Sequence, residues 1–270
     1  MNNKVDREVV GNLRCWFNNY VQKFDRKEDY GFQQNIDLKR EHTERVVREI
    51  IRLGNELKLD EYALNLAEVI ALFHDIGRFE QYKRYQTFSD VRSEDHAMLG
   101  IRILKEYDVL GSLENDTQKL ILCAIEYHNR PFLPDRESKT CLFYSKLIRD
   151  ADKLDIWKVV LDYYNRSNGE QNASIELELP DTPEISKKVY DSLMSRQIVY
   201  TKHVRNLNDF KLLQAGWIYD INFEPTFRSV RKRGYLESLR KNLPDTEQIR
   251  EIFKIMDMYI EEREGNRSVD

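Results

Sequence analysis

The sequence predicts an all-α protein, a helical bundle with additional helices at its N- and C-terminal ends. Three observations carry that reading. Apolar residues recur with a period near 3.6 through most of the 270 residues. Only 10 Gly and 6 Pro punctuate the chain, too few for many short strands joined by tight turns. Polar, titratable residues also fall on the apolar stripes of several helices, where a solvated surface helix would not place them.

The elements follow in order. Residues 4–25 form an amphipathic helix with Val9, Leu13, Trp16, Phe17 and Tyr20 along one side. In DLKREHTERVVREIIRLGNELK, residues 37–58, Val46, Ile50, Leu53 and Leu57 keep the i, i+4, i+7, i+11 spacing of one helix face. DEYALNLAEVIALFHD opens on Asp60 as an acidic N-cap, and Gly77 is expected to stop that helix. SEDHAMLGIRILKEY, ENDTQKLILCAIEYH and CLFYSKLIRDADKLDIWKVVLDYY predict three more helices. NRSNGEQNASIELELPDTP is polar and carries a turn signal at Asn168-Gly169, so it reads as a loop or lid, with SIELEL as a strand fragment. Helices resume near 184–200 and 244–264. Between them a basic run, RSVRKRGYLESLRK, is expected to be a solvated face, while Trp217, Tyr219 and Phe223 pack the C-terminal helices. The expected organisation is an N-terminal helix (1–34) on a core (35–165), with a C-terminal extension (166–270), all in one compact domain.

A net charge of -4 and a pI near 5.9 disfavour a polymeric nucleic acid or an anionic membrane as partner. The cysteines are Cys15, Cys123 and Cys141, with no CxxC pair, so no disulfide framework is expected and a reducing cytoplasm is the simplest location. The first residues lack the apolar core of a signal peptide. No apolar run approaches the roughly 20 residues of a membrane span.

Four of the five histidines occupy corresponding places. His42 shares the face of Val46, Ile50 and Leu53. His74 follows Ala63, Ala67 and Ile70, and Asp75 is its neighbour. His96 leads Leu99, Gly100 and Ile103; His128 ends the series Thr117, Ile121, Ala124; Asp152 continues Ser145 and Ile148. One inward histidine is an ordinary core residue. Two inward carboxylates with four imidazoles are another matter, because a buried carboxylate costs several kcal/mol unless a partner compensates it. A shared cation does so and takes imidazole nitrogens as ligands. No thiolate is among the candidates, and the mixed donor set suits Mn²⁺, Fe²⁺, Co²⁺, Ni²⁺, Zn²⁺ or Mg²⁺ without choosing among them. Six ligands exceed what one ion takes while leaving room for water, so two ions bridged by one aspartate are expected.

The ordered set of His42, the His74-Asp75 pair and Asp152 in RDADKLD resembles the HD superfamily of metal-dependent phosphohydrolases, over about residues 38–160. His96 in EDHAMLG and His128 in EYHNR resemble the further ligands of its two-metal members. The resemblance implies an all-helical HD-domain bundle. It implies that His42, His74, Asp75 and Asp152 hold a first ion, that Asp75 bridges, and that His96 and His128 complete a second. Asp150 and Asp155 are fallback ligands beside Asp152. Some two-metal members have a lysine where Arg78 stands, thought to act on substrate phosphate, so Arg78 is a catalytic and substrate-binding candidate; an arginine fork suits a phosphate. Arg45, one turn beyond His42, and Lys153, beside Asp152, are further substrate-binding candidates, as are Asn129 and Arg130 at the mouth of the site. Tyr82, Tyr85 and Phe88 cover the core or stack on a base; His203 has no evident partner.

The function expected is hydrolysis of a phosphate ester of a small molecule, a nucleotide or dinucleotide first, by metal-activated water. Two alternatives stand beside it. Inositol oxygenase, a di-iron enzyme, resembles the same ligand constellation, and some HD-like domains are non-catalytic interaction modules. The sequence is silent on oligomeric state.

Overall fold

In a computed structural model, residues 5–166, 176 and 179–265 are described. The turn at Asn168-Gly169 and most of SIELEL lie outside the described residues. The chain divides into two compact units, Met1–Asp155 and Ile156–Asp270. Among the described residues every regular element is helical.

In the first unit, α1 (Arg7–Gln22) starts at Asp6, whose carboxylate accepts from Val9 N at 2.9 Å. Helix α2 (Tyr30–Glu56) begins well before residue 37, where the spacing alone would start it, because Asp29 caps it by accepting from Phe32 N at 3.0 Å. Helix α3 (Glu61–Phe73) starts at the expected cap, with Asp60 accepting from Ala63 N at 2.8 Å. Its stretch from Asn65 to Phe73 is buried throughout, so its C-terminal end is driven into the core. Helices α5 (His96–Glu106), α6 (Asn115–His128) and α7 (Lys139–Arg166) follow; α7 contributes its residues up to Asp155 to this unit.

Two expectations are corrected here. Gly77 does not stop α3, which ends at Phe73; it begins a new helix, α4 (Gly77–Tyr85). A Cβ at Gly77 would lie 2.1 Å from the His96 carbonyl oxygen and 2.7 Å from Gly100 N, so the glycine is there to let α4 press on α5. Helix α4 ends at Gln86, whose left-handed backbone (φ 52°) lets its N–H reach Tyr82 O at 2.8 Å. Second, Cys123 on α6 and Cys141 on α7 form a disulfide across a sequence separation of 18. The tertiary approach of two helices joins them, which no Cys spacing announces. The bond removes the cysteine count as an argument for a reducing compartment.

The second unit holds the rest of α7, α8 (Lys187–Met194), α9 (Leu207–Gly216), α10 (Glu224–Lys232), α11 (Tyr235–Lys241) and α12 (Glu247–Gly265). Trp157, fully buried, donates its indole N–H to Gln214 O at 2.9 Å and packs on Trp217 and Tyr235. Tyr219 lies on Tyr259. Within the basic run, Arg228 pairs with Glu224 and Arg231 with Glu261 and Glu264. No helix among the described residues is long and apolar enough to cross a membrane.

Candidate metal centre

Five helices of the first unit deliver their polar residues to one place. The buried run of α3 ends at Phe73, and His74 and Asp75 follow in the turn to α4, almost wholly buried. Helix α2 presents His42, and α7 presents Asp152. Asp95 caps α5 by accepting from Ala97 N and Met98 N, which makes His96 its first residue. His128 is the last residue of α6.

The six donors form two adjoining sets. In the first, His42 Nε2 lies 3.1 Å from Asp152 Oδ1, and His74 Nε2 lies 3.3 Å from His42 Nε2 and 3.8 Å from Asp152 Oδ1. In the second, His96 Nε2 lies 3.0 Å from His128 Nε2 and 3.3 Å from Asp75 Oδ1, which is 3.8 Å from His128 Nε2. Asp75 faces both: its other oxygen, Oδ2, is 3.5 Å from His42 Nε2 and 3.8 Å from His74 Nε2. Each set has its ligand atoms within 4.8 Å of one another.

The hydrogen bonds behind the rings decide what these nitrogens can do. His74 Nδ1 donates to Ala71 O at 2.7 Å and His128 Nδ1 to Ile125 O at 2.6 Å; a carbonyl only accepts, so the ring proton is on Nδ1. His42 Nδ1 faces Asp155 Oδ2 at 2.7 Å, and His96 Nδ1 faces Asp90 Oδ2 at 2.7 Å. In the neutral rings every Nε2 is therefore a bare lone pair. Two lone pairs facing each other at 3.0 Å cannot hydrogen-bond and need a cation between them. Asp152 Oδ1 is likewise buried with no hydrogen-bond partner. The donor set therefore fits divalent cations, each imidazole being held by an outer partner as metal-ligating histidines are.

The electrostatics agree. Burial, followed by the neighbouring His96 and His74, pushes His128 down to about 3. Burial also lowers His74, and burial with Arg78 lowers His96. His42 goes the other way: burial and Lys39 lower it, but the carboxylates of Asp152 beside Nε2 and Asp155 beside Nδ1 outweigh them and raise it. Burial raises Asp75 and Asp152, yet Lys39, His74 and Arg78 hold Asp75 well below the carboxylate range, and His42 does the same for Asp152.

These directions predict a pH dependence for the metal-free protein. As pH falls below about 6.5, His74, His96 and His128 take up protons in the unfolded chain before they do so in the fold, His128 not until about 3. Each such proton lowers stability by about 1.4 kcal/mol per pH unit of acidification. His42, with its raised value, contributes stability that is present below 6.5 and lost as pH rises through its folded value, so it opposes one of the three. Asp75, Asp90, Asp152 and Asp155, held low in the fold, add to the same loss only toward about pH 4, where unfolded aspartates take up protons. Urea unfolding of chelator-treated protein is expected to show a lower midpoint at pH 5 than at pH 7, and a shallower slope in His128→Gln; greater stability at pH 5 would contradict the assignment.

The remaining candidates are placed as follows. Arg78 turns Nε to Asp75 Oδ1 at 3.4 Å, and its Nη1 donates to Asp90 Oδ1 and Gln81 Oε1, each at 2.9 Å, and to Phe88 O. Arg45 grips Asp155 with Nε at 2.6 Å and Nη2 at 3.2 Å, so it backs the partner of His42. Asn129 Nδ2 donates to Asp95 Oδ1 at 3.1 Å, and Arg130 pairs with Asp95 and Glu126. Lys153 Nζ lies 3.4 Å from Arg149 O within α7. Asp155 stands behind His42 and Asp150 is fully buried; neither belongs to the two donor sets. Phe88 stacks on Tyr82 with ring centres 4.8 Å apart, and Tyr85 is exposed. His203 packs its ring on Tyr200 in the second unit.

Three contributors are absent from the sequence reading. Lys39 Nζ donates to Asp75 Oδ2 at 2.8 Å; its place three residues before His42, on the same face, was the signal for it. Asp90 opens a single 3-10 turn, Asp90–Arg92, too short for any periodicity to point to it. Arg149 donates to the carbonyls of Tyr127, His128 and Arg130, and so holds the end of α6.

A helical unit that converges imidazoles and carboxylates on a cation-sized space defines the class of protein. Residues 40–157 match the family described as the HD domain, a span that includes all six donors. The match supports membership in the HD superfamily of metal-dependent phosphohydrolases, and the domain suggests metal-dependent hydrolase activity. No curated protein and no solved structure matches the chain.

Proposed function

We propose that the protein hydrolyses a phosphate ester of a small phosphorylated molecule, a nucleotide or dinucleotide first, with two divalent ions bound by the six donors. The observation that carries this reading is Asp75, whose two oxygens face the two donor sets separately. Bound there, divalent cations would lower the pKa of a coordinated water and polarise phosphoryl oxygens. The chain's own residues do the rest. Asp155 and Asp90 keep the proton on Nδ1 of His42 and His96, which leaves Nε2 free as donor atom. Arg45 fixes Asp155, and Arg78 fixes Asp90 and Asp75. No nucleophilic side chain is required, because water is the attacking group.

Elemental analysis followed by a phosphatase screen with Mn²⁺, Co²⁺ or Ni²⁺ tests the proposal. Metal-dependent release of phosphate from nucleotides or sugar phosphates supports it. Absence of bound metal and of metal-dependent turnover would overturn it, and oxygen consumption on an unphosphorylated polyol would redirect it. The outer partners have their own expected effect: Asp90→Ala should weaken metal binding by about 10- to 100-fold, as loss of a carboxylate behind a ligating histidine typically does. A chelator competition titration measures it.

A further inference from the structure

We infer that Lys39 is a substrate-phosphate residue of this site and that the substrate is a phosphate monoester, presenting a dianion, rather than a diester. The inference rests on the proposed hydrolase function. Lys39 lies on α2 one turn before His42, and its ammonium reaches Asp75 Oδ2 at 2.8 Å. Its side chain is only 17% exposed, so it is held at the site while still open to solvent. The Phe88 ring covers one side of it, 5.2 Å from Nζ.

The other cations near the site are engaged. Arg45 is spent on Asp155, Arg130 pairs with Asp95 and Glu126, and Arg78 is anchored through Nη1 to Asp90, Gln81 and Phe88. An ammonium carries three N–H donors. Asp75 takes one and an aromatic face takes none as a true acceptor, so Lys39 keeps donors for an incoming oxygen beside the carboxylate that faces both donor sets. Its flexible stem lets the charge follow the phosphoryl group.

Charge selects the substrate class. Asp75, Asp90, Asp152 and Asp155 stand against Lys39, Arg45 and Arg78, which leaves one negative charge with the imidazoles neutral. Two divalent ions would turn that into three positive charges. A monoester dianion neutralises such a site better than a diester monoanion does, and the cation nearest Asp75 with donors to spare is the one placed to tell them apart.

The test uses the metal-loaded full chain and three probes: inorganic phosphate by calorimetry, p-nitrophenyl phosphate as monoester, and bis(p-nitrophenyl) phosphate as diester. Lys39→Met is expected to keep wild-type metal content. It should weaken phosphate binding and monoester kcat/KM by about 10- to 100-fold, the range for one charge-assisted hydrogen bond, with a much smaller effect on the diester. Lys39→Arg should restore part of the phosphate affinity. Unchanged phosphate affinity in Lys39→Met would overturn the inference, as would metal loss, which would make Lys39 a support for Asp75. Equal losses on both esters would overturn the monoester assignment. If wild-type protein binds phosphate through Lys39 but hydrolyses neither ester, the hydrolase reading fails and the phosphate contact stands.

Discussion

Asp75→Ala is expected to deplete bound metal and to lower phosphohydrolase turnover by at least about 10³-fold, more than the loss of one oxyanion-hole donor costs, because a bridging ligand serves two cations. The residue is 3% exposed and its two oxygens face different donor sets, so no single neighbour can replace it. The alanine variant also leaves Lys39 without its carboxylate, a buried-charge penalty that can lower stability by itself. Asp75→Asn, which keeps the shape and an acceptor for Lys39, separates the two effects. Metal content and turnover measured together on both variants give the answer. Undiminished hydrolysis by metal-depleted Asp75→Ala would sink the mechanism.

Gly77→Ala is expected to destabilise the protein by about 3 kcal/mol or more, at or above the upper end of overpacking costs, since the added Cβ meets backbone rather than a flexible side chain. The atom it meets is the carbonyl oxygen of His96, so the substitution must also displace a residue of the second donor set. Gly11→Ala is the internal comparison. Gly11 is exposed within α1, a Cβ there has nothing within 4 Å, and the change should stabilise by about 0.5–1 kcal/mol through lost unfolded-state freedom. Urea midpoints of the two variants are expected to move in opposite directions. A Gly77→Ala protein as stable as Gly11→Ala would contradict the close approach of α4 and α5.

The helices and the candidate donors of the site were largely legible in the sequence, for a local reason. A 3.6-residue period places His42 on the stripe of Val46, Ile50 and Leu53, and all four are buried. Asp60 signalled the start of α3 because a cap bonds a residue three positions away. Gly77 misled for the same reason. Read locally, a glycine after an apolar run stops a helix; in the fold it answers to His96 and Gly100, which local reading cannot see.

The sequence by itself determined that the chain is helical, and it determined the inward-facing order of His42, His74, Asp75, His96, His128 and Asp152, because periodicity depends on neighbours within two turns. Tertiary structure alone decided which Asp75 oxygen faces which donor set. It also decided that Asp155 backs His42 across 113 residues, that Lys39 meets Asp75 across 36, and that Cys123 bonds Cys141. Those outcomes depend on how whole helices approach one another. The approach is set by the summed packing of faces such as Leu66–Phe73, and no short stretch of sequence encodes it.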